Sequence, residues 1–356
     1  MVTPPPAPKP KSGGGWKVFA IILLVFLMIS VFYNIGSFFS GLLEVSDGAA
    51  MHGAGPRLTE VVREDNDAAD KIAIIDVSGI IMSGAMDSGS FDMVDIIRAQ
   101  LKRAGKDNRV KAVILKVDSP GGEVLASDEI YRAIQDFQTR TSKPVVASMG
   151  SVAASGGYYV SAPCQWIVAN ELTITGSIGV IMSSYNYRGL MDKVGLKPTV
   201  YKSGKFKDML SGSRNPEEIS SEERDMIHNL IMETYGRFKE VVEEGRSGAA
   251  KRNAGKGKKL AENWAEFADG RVMSGNEAFQ RGFVDELGNF QVAVARAKTL
   301  ANITSANLVL YQQHYDLADF FKMFGKSEAR VKIDVGMDMP KLPAGRLYFL
   351  SPTFVN

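Results

Sequence analysis

Short β-branched apolar runs alternate along this chain with stretches in which apolar residues recur every third or fourth position. Residues 71–77 (KIAIIDV), 112–117 (AVILKV) and 144–148 (PVVAS) are of the first kind, and each predicts a buried strand. Between the first two, Met93, Ile96, Ile97 and Leu101 form a stripe of helical spacing over 92–103. The pattern predicts further helices over 124–138 and 154–161, and further strands at 166–169 and 199–202. Strand, loop and helix in this succession argue an α/β fold with a largely parallel sheet. Residues 220–248 read as one long helix. Ser220 and Glu223 match a capping box, followed by a stripe of Met226, Ile227, Leu230, Ile231, Tyr235, Phe238, Val241 and Val242. Acids on the other face assign that stripe to core or subunit contact. No repeat of fixed period is evident.

The N-terminal region departs from this pattern. Residues 18–43 carry no charge. At about 1.5 Å per helical residue they reach about 39 Å, beyond a bilayer core of roughly 30 Å. A transmembrane helix over 18–43 is the expectation. The rival, a cleaved signal peptide, has an apolar region of about 7–15 residues, shorter than the unbroken run 18–33. Lys9, Lys11 and Lys17 precede the span, against Arg57 and Arg63 after it. The positive-inside rule then predicts a single pass of the cell membrane, with tail 1–17 cytoplasmic and the body outside the cytoplasm. Polar residues 44–69 are expected to form a stalk, 70–302 the folded domain, and 303–356 a C-terminal extension.

Composition mainly excludes. A net charge of +2, from 42 Lys+Arg against 40 Asp+Glu, argues against nucleic acid as a partner. The basic run 251–259 has no interleaved aromatics and reads as a solvated loop. The single Cys164 rules out an intramolecular disulfide. His52, His228 and His314 have no zinc-ligand spacing, so neither metal nor cofactor is expected. They also offer no evident base for a histidine-based triad.

Two glycine-rich segments follow predicted strands, where open α/β sheets bind ligands. In DSPGGEV (118–124), Gly121 and Gly122 let backbone N–H groups turn toward a ligand, although a plain strand-to-helix turn explains the pattern equally well. In MGSVAASGGYYVSA (149–162), Ser155 stands among small residues ahead of Gly156, Gly157 and a helix. That setting suits a nucleophilic serine, and equally a helix cap.

DSPGG, ASGGYYVSA, TITGSIGVI (173–181), SGKFKDML (203–210), ADGRVMSG (268–275) and GFVDELG (282–288) occur in that order. Together they resemble the signal peptide peptidase A (protease IV) family in its short, single-domain form. The resemblance implies a Clp-protease/crotonase-like fold and a membrane-bound serine endopeptidase with a Ser–Lys dyad. It further implies a ring-shaped homo-oligomer that degrades remnant signal peptides and unfolded apolar segments. Position by position, Ser155 matches the nucleophile and Lys207 the general base. Ser177 matches the serine that orients the base. Gly122 matches a glycine of the oxyanion hole, which the N–H of Gly156 completes.

The chemistry is compatible, because lysine is the known alternative where no histidine serves. Spacing does not choose Lys207 over Lys205; the resemblance does. The expected pocket is shallow and accepts small or aliphatic side chains, with the peptide extended along a strand edge. A crotonase-type acyl-CoA enzyme and an inactive membrane scaffold are the alternatives. The basic loop 245–259 and the tail beyond 301 depart from the family pattern.

Overall fold

The computed structural model describes residues 19–32, 55–84, 91–313 and 347–350. The expected cytoplasmic tail, both ends of the expected span and residues 44–54 of the stalk lie outside the described residues. Residues 19–32 form helix α1, with every side chain exposed, in a unit separate from the one that starts at Pro56. No helix among the described residues is long and apolar enough to cross a membrane.

The second unit is organised by a nine-stranded sheet. Its first strands are β1 (Leu58–Glu64) and β2 (Lys71–Ser78), followed by α2 (Met93–Lys106) and β3 (Val110–Ser119). A short β4 (Gly121–Glu123) leads into α3 (Val124–Thr141), and β5 (Val145–Ala154) into α4 (Gly156–Ser161). Then come β6 (Trp166–Ala169), β7 (Ile174–Gly176), α5 (Arg188–Lys193) and α6 (Ser221–Arg252). The remainder is β8 (Val272–Ser274), α7 (Gly275–Gln280), β9 (Glu286–Leu287), α8 (Phe290–Leu300), β10 (Asn307–Gln313) and β11 (Tyr348–Leu350). The sheet order is β1-β10-β2-β3-β5-β6-β9, with β7 and β8 added at the end of β5. From β10 through β9 the neighbours run parallel.

Alternation within the strands builds two cores, as expected where both faces of a parallel sheet are covered. Ala73, Ile75, Val77, Val113 and Leu115 face α2, α3, α4 and Phe238 of α6. Ile72, Ile74, Ile114 and Val146 face Ala293, Val294 and Ala297 of α8. The capping box of α6 is formed: Ser220 Oγ accepts from Glu223 N–H, and the Glu223 carboxylate accepts from Ser220 N–H. Its apolar stripe divides. Phe238, Val241 and Val242 are buried, whereas Met226 and Leu230 are exposed.

Three expectations change. Residues 199–202 form no strand; Val200 and Tyr201 are exposed and pair with no ladder. The stalk region contributes β1, which pairs antiparallel with β10. Because β10 also pairs with β2, the folded domain extends beyond 70–302 on both sides, into both stalk and extension.

The basic loop is anchored as well as solvated. Asp285 and Arg246 form a buried ion pair, with side chains 1% and 2% exposed. Asp285 also accepts from Ile167 N–H at 2.9 Å and from Lys258 N–H at 3.1 Å. Asp285→Ala would strand a buried guanidinium, and we expect it to cost about 3–5 kcal/mol, read as a lower denaturation midpoint in urea.

Candidate active site

Ser155 stands where β5 ends and α4 begins. Its φ of 53° and ψ of −115° lie outside the regions that non-glycine residues favour, so the chain makes a sharp corner there. Its carbonyl accepts from Tyr159 N–H and starts α4, yet its side chain makes no capping hydrogen bond. The residue is 1% exposed. The helix-cap reading is thereby displaced, because this hydroxyl is not spent on the helix.

Polar side chains that the sequence did not single out hold the corner. Between Val117/Met149 and Ser119/Ala153 the β3–β5 register shifts, so β5 carries extra residues just before Ser155. The Asp118 carboxylate pins this bulge, accepting from Val152 N–H at 3.0 Å. Thr173 Oγ1 donates to Gly150 C=O at 2.8 Å, and Thr175 Oγ1 to Ala153 C=O at 2.7 Å. Ser119 Oγ donates to Gly79 C=O at 2.6 Å and accepts from Gly121 N–H at 3.1 Å. DSPGG is therefore a set of braces as well as a turn.

Gly122 and Gly156 meet beside Ser155. A Cβ on Gly156 would lie 3.1 Å from the Gly122 nitrogen, and one on Gly121 would lie 2.7 Å from the Gly156 nitrogen. Gly156 opens α4, where the first N–H groups lack intrahelical partners, and its backbone lies against that of Gly122. Ser177 joins the cluster. Ser155 N–H donates to Gly176 C=O at 2.8 Å, and Ser177 follows with φ 50° and 5% exposure.

Lys207 is not brought into this cluster. It lies in an exposed turn, and its side chain makes no hydrogen bond or ion pair among the described residues. Its neighbours are committed elsewhere. Lys205 Nζ pairs with Glu222 at 2.5 Å, and Asp208 pairs with Lys202 at 2.8 Å and Arg214 at 3.6 Å. His228, the described histidine, is exposed on α6.

A strand from the tail lies against the same place. In β11, Phe349 pairs antiparallel with Gly122, Leu350 with Gly121 and Tyr348 with Glu123. This contact had no signal in the sequence pattern.

Residues 138–304 match peptidase family S49, and residues 66–164 match the Clp protease family. A protein of Enterococcus faecium assigned as signal peptide peptidase SppA is 36% identical over 259 residues, covering 72% of this chain and 71% of that protein. The chain belongs to peptidase family S49. A Synechocystis protein assigned as a protease is 39% identical to this S49 peptidase over 235 residues, 65% of this chain and 75% of that one. Protease 4 of Haemophilus influenzae is 36% identical over 239 residues, 67% of this chain but 36% of that protein. The S49 peptidase is thus a serine protease of the SppA and protease 4 type on a mixed α/β, Clp-protease-like fold. The acyl-CoA crotonase alternative has no support in these matches.

Proposed function

We propose that this S49 peptidase is a membrane-anchored endopeptidase that degrades remnant signal peptides and other apolar, unfolded peptides through a Ser155–Lys207 dyad. The carrying observation is the strained, uncapped Ser155 beside the closely packed backbones of Gly122 and Gly156. Ser155 Oγ attacks the peptide carbonyl carbon while the Lys207 amine takes the hydroxyl proton. The two N–H groups stabilise the oxyanion, and Lys207 returns the proton to the departing amine. Water, deprotonated by the same amine, then cleaves the ester and restores the serine. Ser177 orients the lysine. Lys207→Arg is dead in this scheme, because guanidinium does not deprotonate.

The charge-free run 18–43 after Lys9, Lys11 and Lys17 supports a single-pass anchor with a cytoplasmic N-terminus and the catalytic domain outside. A homo-oligomeric ring is supported by the segment that carries Lys207. Tyr185, Leu190, Val194, Leu196, Val200 and Tyr201 on it are all at least half exposed, an apolar display that self-assembly would cover. In such a ring Lys207 reaches the Ser155 of a neighbouring copy. Mixing Ser155→Ala and Lys207→Ala chains before assembly should then restore about a quarter of wild-type peptide hydrolysis, since random pairing leaves that share of sites intact. A mixture as inactive as either parent excludes a dyad between copies.

A further inference from the structure

We propose that Arg214 is a positioning residue for the base of this protease. Its guanidinium ties the turn that carries Lys207 to the N-terminal end of α6, through Asp208 on one side and Glu223 on the other. The proposal rests on the reading of Lys207 as the general base.

The backbone alone holds this turn weakly. Residues 203–211 belong to no strand or helix, and their backbone bonds are local. Lys207 N–H donates to Gly204 C=O at 3.2 Å, Met209 N–H to Phe206 C=O at 3.0 Å and Ser211 N–H to Asp208 C=O at 3.1 Å. Leu210 sits at φ 67°, a left-handed conformation that persists in a branched residue only where the surroundings impose it. Lys207 itself is exposed, so burial does not fix its place.

Two side-chain ties reach α6 from this segment, and their exposure ranks them. Lys205 pairs with Glu222 at 2.5 Å, but the side chains are 67% and 53% exposed, so solvent screens the pair and it contributes little. The second tie is sheltered. Arg214 Nη1 lies 2.6 Å from Glu223 Oε1 and 3.6 Å from Asp208 Oδ1, and the three side chains are 13%, 4% and 13% exposed. Arg214 Nη2 donates to Glu218 C=O at 2.9 Å. A planar fork can bond a carboxylate and a carbonyl at once, which an ammonium does not reproduce. Glu223 is fixed in turn, because its carboxylate also accepts from Ser220 N–H in the capping box. Lys202 closes the turn from its other end, bonding Asp208 at 2.8 Å.

The cluster stays charged. A hydrogen bond from Lys202 holds the Asp208 carboxyl below the usual carboxylate range, and one from Arg214 does the same for Glu223. It also removes a competitor. A free carboxylate next to Lys207 would pair with its amine and draw it away from the serine, whereas Asp208 is committed to Lys202 and Arg214.

The test uses the full chain, a fluorogenic apolar peptide, and fluorophosphonate labelling of Ser155. Arg214→Gln should lower kcat by about 10–100-fold with KM within about twofold, since an ångström of misplacement costs up to about 10²-fold. Asp208→Asn and Glu223→Gln, which cut the tie on either side of Arg214, should each lower kcat at least about fivefold. Labelling should slow about tenfold in Arg214→Gln, yet less than about twofold when that substitution is added to Lys207→Ala, where no base is left to misplace. A variant that merely lost folded protein would slow labelling equally in both backgrounds. If circular dichroism shows Arg214→Gln unfolded, Asp208→Asn, which keeps the Arg214–Glu223 pair, decides by the same cycle. Unchanged kcat, a loss confined to KM, or equal slowing in both backgrounds would overturn the proposal. If Lys207→Ala is inactive in those cases, the dyad stands and only the clamp falls. Hydrolysis that survives Lys207→Ala removes both.

Discussion

Ser155→Ala lowers peptide turnover by about 10⁴-fold or more while leaving the fold intact. The size follows from dyad members acting as a unit: without the nucleophile, a positioned base and oxyanion donors leave only a small residual rate. The fold persists because the Ser155 hydroxyl makes no capping bond that alanine would break. Lys207→Ala and Lys207→Arg should fall to a similar level, and adding the second substitution to Ser155→Ala should cost little more. Lys205→Ala is the internal control. Its amine already pairs with Glu222, so most activity should remain. Initial rates on an unfolded apolar peptide check the series, with circular dichroism confirming that each variant is folded. If Lys205→Ala abolished turnover while Lys207→Ala kept it, the base would be misassigned by two residues.

Gly122→Ala is the second large effect, and it is steric in origin. A Cβ there would lie 1.9 Å from the Ile81 carbonyl oxygen, which accepts from Glu123 N–H at 2.7 Å. Both partners are backbone, so no side-chain rotation relieves the clash and β4 must move. That displaces the Gly122 N–H from the point it shares with Gly156. Removing one oxyanion donor costs about 10²–10³-fold in kcat, and the expected loss is of that order with a smaller change in KM. Gly236→Ala provides the contrast. It lies within α6 with nothing inside 4 Å of an added Cβ, so activity should hold and stability should rise by up to about 1 kcal/mol. Similar kinetics for Gly122→Ala and wild type would remove Gly122 from the oxyanion site.

Features whose information is local could be read from the sequence. The Ser220–Glu223 capping box lies within one turn, and the strands around 71–77 and 112–117 are apolar on both faces. The corner at Ser155 was legible as a setting, small residues before a helix, although its backbone angles were not. Features made by distant partners were hidden. β5 runs on to Ala154, past the expected 144–148, because Asp118 and Thr173 hold a bulge that interrupts the apolar pattern. Residues 199–202 carry strand-forming side chains without a neighbouring edge to pair with, so propensity alone misassigned them. β11 is three residues long and pairs with a segment far earlier in the chain, a contact no periodicity announces. The choice between Lys205 and Lys207 belongs to the same class. Spacing leaves it open, and within one chain neither amine makes a hydrogen bond to Ser155.

The most direct test of the central claim is covalent labelling of the full chain with a fluorophosphonate, followed by peptide mapping of the adduct. A serine activated at the corner between β5 and α4 should carry the phosphonyl group on Ser155, and Ser155→Ala should carry none. Labelling in Lys207→Ala should slow by at least about 10²-fold, because the hydroxyl loses the base that takes its proton. An adduct on Ser177 or another residue, or equal labelling of wild type and Ser155→Ala, would contradict the account.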